Sequence, residues 1–293
     1  MSLSPQEIGR LAVQSLLYEV AVTPKPGLVD RRNAGAHKDM ECFTFLASAA
    51  ALAPYFTQFA EVGVDGIQQE PKALFRAIRS IGIAAEQRMF EATAGVNTHK
   101  GAIFSLGLVC TAAGVLSATD INLTPENVAG YVSKMTKGIC AEEYQGIEAK
   151  QNQTKGEQIY LRYGLTGVRG EAEQGFPSVL RYSYPILEDC LLSGRSINES
   201  MLQAYLHLAG NVDDTNVLGR HDMEVSTYVK AETQKILKVG GALKPENIAL
   251  LEAMDDDFIA KNISPGGCAD LVALTMFFFS LANPTWKYKI NKK

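Results

Sequence analysis

The sequence predicts an all-α protein, a single-domain multi-helix bundle of about ten helices with functional loops between them. Apolar residues recur on a helical period in most segments, and residues that favour helices (Ala, Leu, Gln, Glu and Met) fill these segments. Alternating runs typical of β-strands are nearly absent. No stretch resembles a linker between domains, so residues 1–293 are expected to form one domain.

The helices can be placed in order from their start and stop signals. The first begins with a capping box, in which Ser4 is the N-cap, Pro5 the first helical residue and Glu7 the third. It is expected to end before Thr23-Pro24. Further helices are expected over residues 40–62, 71–94, 99–118, 125–142, 154–163, 172–193, 196–211, 222–239, 245–262 and 267–282.

The composition indicates a soluble globular enzyme, with 46% apolar and 20% charged residues. The formal net charge of −4 provides no global basic field, so a general nucleic-acid-binding function is not expected. The longest apolar run, residues 271–282, is shorter than the ~18 residues that a membrane span needs. A membrane protein is therefore not expected either.

The cysteines indicate a reducing compartment. There are five, an odd number, and no two form a CxxC pair. The first ten residues, MSLSPQEIGR, contain no apolar signal core. Together these features predict a cytoplasmic protein with mostly buried thiols.

The loop over residues 23–40, TPKPGLVDRRNAGAHKDM, concentrates polar side chains between two apolar helices. The loop provides donors for an anion and, in Asp30 and Asp39, carboxylates for Mg²⁺ or helix capping. The donors are Lys25, Arg31, His37 and Lys38. Loops on a rigid scaffold often carry binding groups. The alternative is a proline-rich connector whose charges face water.

The loop over residues 95–101, GVNTHKG, precedes a predicted helix. Asn97 or Thr98 can cap this helix, and His99 and Lys100 then lie in its first turn. Cationic side chains at the positive end of a helix are unfavourable unless an anion binds there. The alternative is a capped helix with exposed basic residues.

Two further loops carry acidic and basic groups. In residues 163–176, YGLTGVRGEAEQGF, four glycines surround Arg169, whose planar fork suits phosphate oxygens. Glu171 and Glu173 follow and could equally favour a helix start. In residues 210–221, GNVDDTNVLGRH, Asp214 and Asn216 could cap a helix or bind a cation.

Residues 262–270, NISPGGCAD, form the last polar loop. Asp270 is expected one turn into a helix, facing either a site or a partner residue. The sequence contains no Walker loop, HExxH, GxSxG elbow or GxGxxG turn after a strand. Any nucleotide must therefore bind by an uncommon route.

Five motifs together resemble the triphosphoribosyl-dephospho-coenzyme A synthase family. They are TPKPGLVDRRNAGAHKDM, GVNTHKGAIFSLGL, YGLTGVRGEAEQGF, DTN at 214–216 and SPGGCADL, and the resemblance extends from about Glu19 to Leu274. One departure is Asp213, which stands where the family pattern suggests glycine, so no role is transferred to it.

The resemblance implies a reaction between ATP and 3′-dephospho-CoA. The dephospho-CoA 2′-hydroxyl attacks C1 of the ATP ribose, adenine leaves, and the product is the prosthetic-group precursor of citrate lyase or of malonate decarboxylase. The implied inversion at C1 indicates a single displacement. An oxocarbenium-like transition state benefits from carboxylates, the hydroxyl needs a base, and the triphosphate needs cations and Mg²⁺.

This implied chemistry assigns the polar loop residues to three roles. The predicted nucleotide-binding residues are Lys25, Arg31, His37, Asn97, His99, Lys100, Arg169 and Asn216. The predicted catalytic residues are Asp214, Glu171 and Asp30, and the predicted metal ligands are Asp214, Glu173 and Asp39. The sequence leaves open which carboxylate is the base and whether the chain forms a homodimer.

Two other functions remain as alternatives. A Mg²⁺-dependent hydrolase of N-ribosyl bonds would release adenine from ATP alone. A non-catalytic helical binding module would release none, although it would leave the polar loops unexplained because interfaces are usually apolar at their centre.

Overall fold

The all-α prediction is confirmed by the computed structural model, which describes residues 2–287 and has no β-strand among them. The α-helices are α1 (Pro5–Ala21), α2 (Cys42–Asp65), α3 (Pro71–Ala77), α4 (Arg79–Ala92), α5 (Lys100–Ala118), α6 (Pro125–Thr136), α7 (Ile139–Tyr144), α8 (Lys155–Tyr163), α9 (Gly167–Glu173), α10 (Tyr184–Leu192), α11 (Ile197–Ala209), α12 (Thr215–Leu218), α13 (Met223–Lys238), α14 (Ile248–Ala260) and α15 (Gly266–Ala282). The predicted capping box at Ser4 is present.

Some predicted helices are divided, which accounts for the higher number of segments. The 125–142 helix is interrupted at Gly138, whose φ of 84° lies in the left-handed region that glycine adopts without a steric penalty. The 71–94 helix is divided at Ile78 into α3 and α4. In the 172–193 region a π-helical segment, Val179–Ser183, precedes α10. Residues 167–173, expected as loop and helix start, form the short helix α9.

Two apolar helices, α5 and α15, form the centre of the core. Most residues of each helix are buried. α15 packs against α1, α5, α10 and α11, while α2 packs against both α1 and α5. The backbones of α2 and α5 approach closely at two glycines. A β-carbon at Gly63 would lie 2.1 Å from the Thr111 carbonyl oxygen, and one at Gly114 would lie 2.2 Å from that of Ala60.

Within residues 2–287, the helices α2 and α5 are long and apolar enough to span a membrane. The most apolar 18-residue window of α5 is 83% buried inside the protein, as expected of a core helix, while that of α2 is 28% buried. Length and composition alone are weak evidence for a membrane span, so the fold provides no strong argument for one. All five cysteines are free thiols, three of them buried.

The loop over residues 23–40 is held by two buried aspartates. Asp30 accepts hydrogen bonds from the backbone N–H groups of Lys25, Arg32 and Asn33, at 2.9, 2.6 and 3.2 Å. Asp255 of α14 accepts from the Gly27 N–H at 2.9 Å and from the side chains of Arg32 and Asn33. These bonds fix the path of the loop against α14.

Candidate active site

A cavity of about 610 Å³, the inner cavity, lies where the polar loops meet the first turns of α5 and α15. Its wall combines the end of α1, the 28–40 loop, the 97–101 and 165–171 segments, residues 211–216 and the 264–273 segment. The first turns of the two most buried helices therefore face the same space. Helix N-termini carry partial positive charge and unpaired N–H groups, so they attract carboxylates and other hydrogen-bond acceptors.

His99 lies on this wall at the start of α5 and is 2% exposed. Its Nδ1 atom lies 2.7 Å from Ser48 Oγ, and the Phe45 ring packs edge-on against the imidazole at 5.1 Å between centroids. Burial, with the nearby Lys25 ammonium, lowers the pKa of His99 to about 3. The imidazole is therefore neutral near pH 7, and it is not the phosphate-binding cation that the sequence predicted.

The hydrogen bonds around His99 also determine its tautomer. Thr98 Oγ1 donates to Ser48 Oγ at 2.8 Å, which leaves the Ser48 proton for His99 Nδ1. The ring proton then lies on Nε2. Nε2 is buried and has no hydrogen-bond partner among the described residues. An unsatisfied buried donor is costly, so its presence on a cavity wall indicates a ligand-binding position.

Carboxylates cluster on the inner wall. Five acidic side chains line it: Glu19, Glu171, Asp213, Asp214 and Asp270. Burial raises the pKa of the Glu19, Glu171 and Asp214 carboxyls, with hydrogen-bond donors or Lys25 opposing the effect. A concentration of carboxylates suits a developing positive charge, such as that on an oxocarbenium-like ribose.

Asp214 connects two of the loops. It is the N-cap of α12 and accepts from the N–H groups of Asn216 and Val217 at 2.7 and 3.3 Å. Its other oxygen accepts from the Cys268 N–H at the start of α15, at 2.7 Å. The capping alternative for the DTN motif is therefore confirmed, and the carboxylate also lies on the cavity wall.

A second cavity of about 1090 Å³ adjoins the first and has a different charge. The two share seven wall residues, His37, Met40, Asn97, Gly156, Thr215, Asn216 and Arg220. The wall of the second cavity, the outer cavity, also contains the basic residues Lys38 and Lys155 and the acidic residue Asp39. On the inner wall the five carboxylates outnumber the basic residues Lys100 and Arg220, whereas on the outer wall the basic residues outnumber Asp39.

Arg220 lies at the junction of the two cavities. Its guanidinium donates to the Ala36 carbonyl at 3.1 Å and lies 3.3 Å from the His37 ring. The Nε2 atom of this ring lies 2.9 Å from Ser264 Oγ. Burial and the Arg220 charge lower the pKa of His37, opposed by Asp39. Arg220 is therefore a cation held at the junction by the 23–40 loop and, through Asn262, by the loop before α15.

Seven of the predicted site residues lie together on the inner cavity wall: His37, Asn97, His99, Lys100, Glu171, Asp214 and Asn216. Lys100 makes an ion pair with Glu86 at 2.8 Å. Asn97 accepts from the Lys100 N–H at 3.3 Å and so contributes to capping α5. A neutral His99 and a paired Lys100 relieve the charge conflict at this helix end without an anion.

Five predicted residues do not reach the wall of either cavity: Lys25, Asp30, Arg31, Arg169 and Glu173. Lys25 is buried against the Glu19 carboxylate. Asp30 is occupied by backbone donors of its own loop. Arg31 donates to the Ala21 carbonyl at 2.5 Å.

Two of these five, Arg169 and Glu173, form hydrogen bonds with α7 and the residue before it. Arg169 donates to Glu143 at 2.5 Å, and Glu173 accepts from the N–H groups of Gly138 and Cys140 at 2.5 and 3.3 Å. Arg169, predicted to bind the nucleotide, and Glu173, predicted to bind the metal, are therefore both engaged by other parts of the protein.

The predicted metal ligands do not meet. Asp214 faces the inner cavity, Asp39 is 66% exposed beside the outer one, and Glu173 faces α7. Asp39 is also not the helix cap, because the N-cap of α2 is Glu41. No group of three or more His, Cys, Asp or Glu side chains in the described part of the chain could hold a metal ion. The three predicted metal ligands therefore do not fit a Mg²⁺ site built from protein side chains alone.

The family model for CitG, ATP:dephospho-CoA triphosphoribosyl transferase, matches residues 5–289. The chain belongs to this family. Among its relatives are the 2-(5″-triphosphoribosyl)-3′-dephosphocoenzyme-A synthases of Escherichia fergusonii and Klebsiella pneumoniae. Each is 40% identical over 275 residues, which cover 94% of this chain and 91% of the relative.

Membership in the CitG family confirms the enzyme class predicted from the motifs. The chain also aligns with the crystal structure of a proposed triphosphoribosyl-dephospho-coA synthase from Archaeoglobus fulgidus. That match has a TM-score of 0.49 and 18% identity and covers 83% of this chain and 100% of the other. It is too distant to support an argument about the site. The family assignment favours the transferase over the hydrolase and the non-catalytic module.

Proposed function

We propose that the inner and outer cavities together form the active site of a triphosphoribosyl transferase. In this site the ATP ribose passes to the 2′-hydroxyl of 3′-dephospho-CoA and adenine is released, which makes the precursor of the citrate lyase prosthetic group. The observation that carries the proposal is that two joined cavities differ in charge, the inner one being mainly acidic and the outer one mainly basic. ATP matches this arrangement, because its reacting ribose becomes positively charged and its triphosphate is a polyanion.

The outer cavity is the proposed triphosphate site. Lys38, Lys155, Arg220 and the His37 ring supply donors around it, and Arg220 presents a planar fork suited to phosphate oxygens. With the phosphates there, the ribose and adenine extend into the inner cavity. C1 of the ribose then lies among the carboxylates, where positive charge develops as the bond to adenine breaks.

His99 is the proposed contact for the departing adenine. Its Nε2–H is a buried donor with no other partner in the described chain, and adenine nitrogens are acceptors whose negative charge grows as adenine leaves. A neutral donor stabilises this charge by a hydrogen bond without giving up its proton. Ser48 and Thr98 keep the proton on Nε2.

We further propose that Mg²⁺ enters as the complex with ATP. Mg²⁺ usually keeps substrate phosphates and waters as ligands, with one or two protein carboxylates. Asp39 is the acidic residue on the outer wall. It would be the protein carboxylate nearest a metal on the triphosphate, where the ion would neutralise phosphate charge.

The test of the function is adenine release, measured by chromatography with purified protein, ATP and Mg²⁺. Release that requires 3′-dephospho-CoA and matches the product in amount supports the transferase. Stoichiometric ribose triphosphate and adenine from ATP alone would instead indicate the hydrolase. No adenine under either condition would indicate a binding module.

A further inference from the structure

One of the five carboxylates on the inner wall differs from the others in its contacts. Glu19 is paired with Lys25, Glu171 with the Ser178 hydroxyl and N–H, Asp213 with Lys230 and Ser226, and Asp214 with three backbone N–H groups. Asp270 makes no hydrogen bond or ion pair with any residue from 2 to 287. Four carboxylates are thus committed to the protein, and one is free to accept a proton.

The position of Asp270 is fixed by the helices around it. It lies in the second turn of α15, and its Oδ2 oxygen is so close to α5 that a β-carbon at Gly101 would lie only 2.1 Å away. Asp270 is partly buried and lies on the wall of the inner cavity. Gly101 is next to Lys100, and His99 with its unpartnered Nε2 precedes both. The unpaired Asp270 carboxylate and the unpaired His99 Nε2–H therefore both lie beside the first turn of α5.

We propose that Asp270 is the general base that removes the proton from the attacking 2′-hydroxyl of dephospho-CoA. This assignment rests on the proposed function of the cavity. The 2′-oxygen forms its bond to C1 of the ATP ribose as the bond from C1 to adenine N9 breaks. The electron pair of that bond leaves with adenine, which takes a proton from water. Asp270 receives the hydroxyl proton and later returns it to water, so no net proton is gained or lost.

The electrostatic surroundings favour this role. Burial raises the pKa of Asp270 well above its ordinary value, and the carboxyls of Glu19 and Asp214 add to the effect. A general base is most effective when its pKa is raised toward the working pH, because it then accepts a proton more readily. Glu171 has a raised pKa too, but its oxygens are bonded to Ser178.

The experiment compares Asp270→Asn and Asp270→Ala with the wild-type chain by adenine release that depends on dephospho-CoA. Removing a general base typically costs on the order of 10²–10⁴ in turnover. We expect this loss in both variants, with ATP affinity by calorimetry within about threefold of wild type. Added formate should restore turnover to Asp270→Ala in proportion to its concentration. It should not restore Asp270→Asn, whose amide fills the space.

A matched control is Asp189→Asn on α10, which is exposed and lies on the wall of neither cavity; it should keep wild-type turnover. A loss below tenfold in Asp270→Asn, or a loss in Asp270→Ala that formate does not restore, would overturn the assignment. These outcomes require an active wild-type chain. A wild-type chain without dephospho-CoA-dependent release would refute the proposed function itself.

Discussion

Asp270 and Gly101 meet where α15 passes the first turn of α5, and the space for the Asp270 carboxylate exists only because residue 101 has no side chain. A β-carbon at position 101 would lie 2.1 Å from Asp270 Oδ2, far closer than van der Waals contact allows. Gly101 is not one of the glycines with a positive φ. Glycine is therefore needed at this position because it has no side chain, and not because of its conformational freedom.

Gly101→Ala should therefore displace the Asp270 carboxylate while the helix remains intact. A displacement of about 1 Å in a catalytic group can cost on the order of 10² in rate. We expect a loss of that order in turnover, with little change in ATP affinity. The control is Gly82→Ala in α4, where a β-carbon meets no atom within 4 Å. It should keep full turnover and gain about 0.5–1 kcal/mol of stability. Wild-type turnover in Gly101→Ala would show that the carboxylate position is unimportant.

Asp214→Asn tests the connection between α12 and α15. The amide oxygen can replace part of the carboxylate as an acceptor, but the amide NH₂ faces N–H groups and cannot accept from them. We expect the fold to survive with about 1–3 kcal/mol less stability and a severe loss of turnover. Urea denaturation and adenine release measure the two effects.

The control for this variant is Asp222→Asn. Asp222 caps α13 with bonds to two backbone N–H groups, as Asp214 caps α12, but it is exposed and off both cavity walls. It should have nearly wild-type stability and turnover, because Asn is an effective N-cap. Near-normal turnover in Asp214→Asn would remove Asp214 from the active site.

Arg220→Gln tests the outer cavity as the triphosphate site. Loss of one charge-assisted hydrogen bond costs about 1.5–3 kcal/mol, so the KM for ATP should rise by on the order of tenfold or more. The kcat should change less, because the reacting ribose lies in the inner cavity. The control is Arg88→Gln on α4, an exposed residue paired with Glu91. An unchanged KM for ATP in Arg220→Gln would place the triphosphate elsewhere.

His99 predicts a pH dependence of stability with a defined sign. Its pKa is about 3 in the folded protein, against an ordinary value near 6.5. Between these values the unfolded chain binds a proton that the native imidazole does not. This contribution to stability is therefore fully present above pH 6.5 and is lost as pH falls toward 3.

Comparison of His99→Gln with wild type isolates this contribution, because the cavity carboxyls titrate in both proteins. Urea denaturation at several pH values from 7 to 4 should show that the wild-type chain loses more stability on acidification than the variant does. Parallel curves for the two proteins would mean that His99 is not held in its neutral form.

Much of the fold followed from local signals, such as the capping box at Ser4 and the apolar run of α15. The motifs also located the cavity, since the loops that they define are the ones that meet there. The possible homodimer stays a prediction.

The roles of individual side chains were harder to predict, because they depend on which partner lies nearby in space. Lys25 looked like a phosphate ligand but is buried against Glu19, and Arg169 is engaged by Glu143. Asp270 and Arg220 stood in the polar loops without an assigned role. The sequence offered no signal that Asp270 lacks a partner, since this is known only when all its neighbours are placed.

The central claim is the orientation of ATP, with phosphates in the outer cavity and ribose among the carboxylates of the inner one. A crystal structure of Asp270→Asn with ATP, Mg²⁺ and 3′-dephospho-CoA tests it most directly. We expect the triphosphate against Lys155 and Arg220, and the 2′-oxygen roughly 3–3.5 Å from C1 of the ATP ribose and beside residue 270. A triphosphate bound among Glu19, Asp214 and residue 270, with the ribose outside, would contradict it.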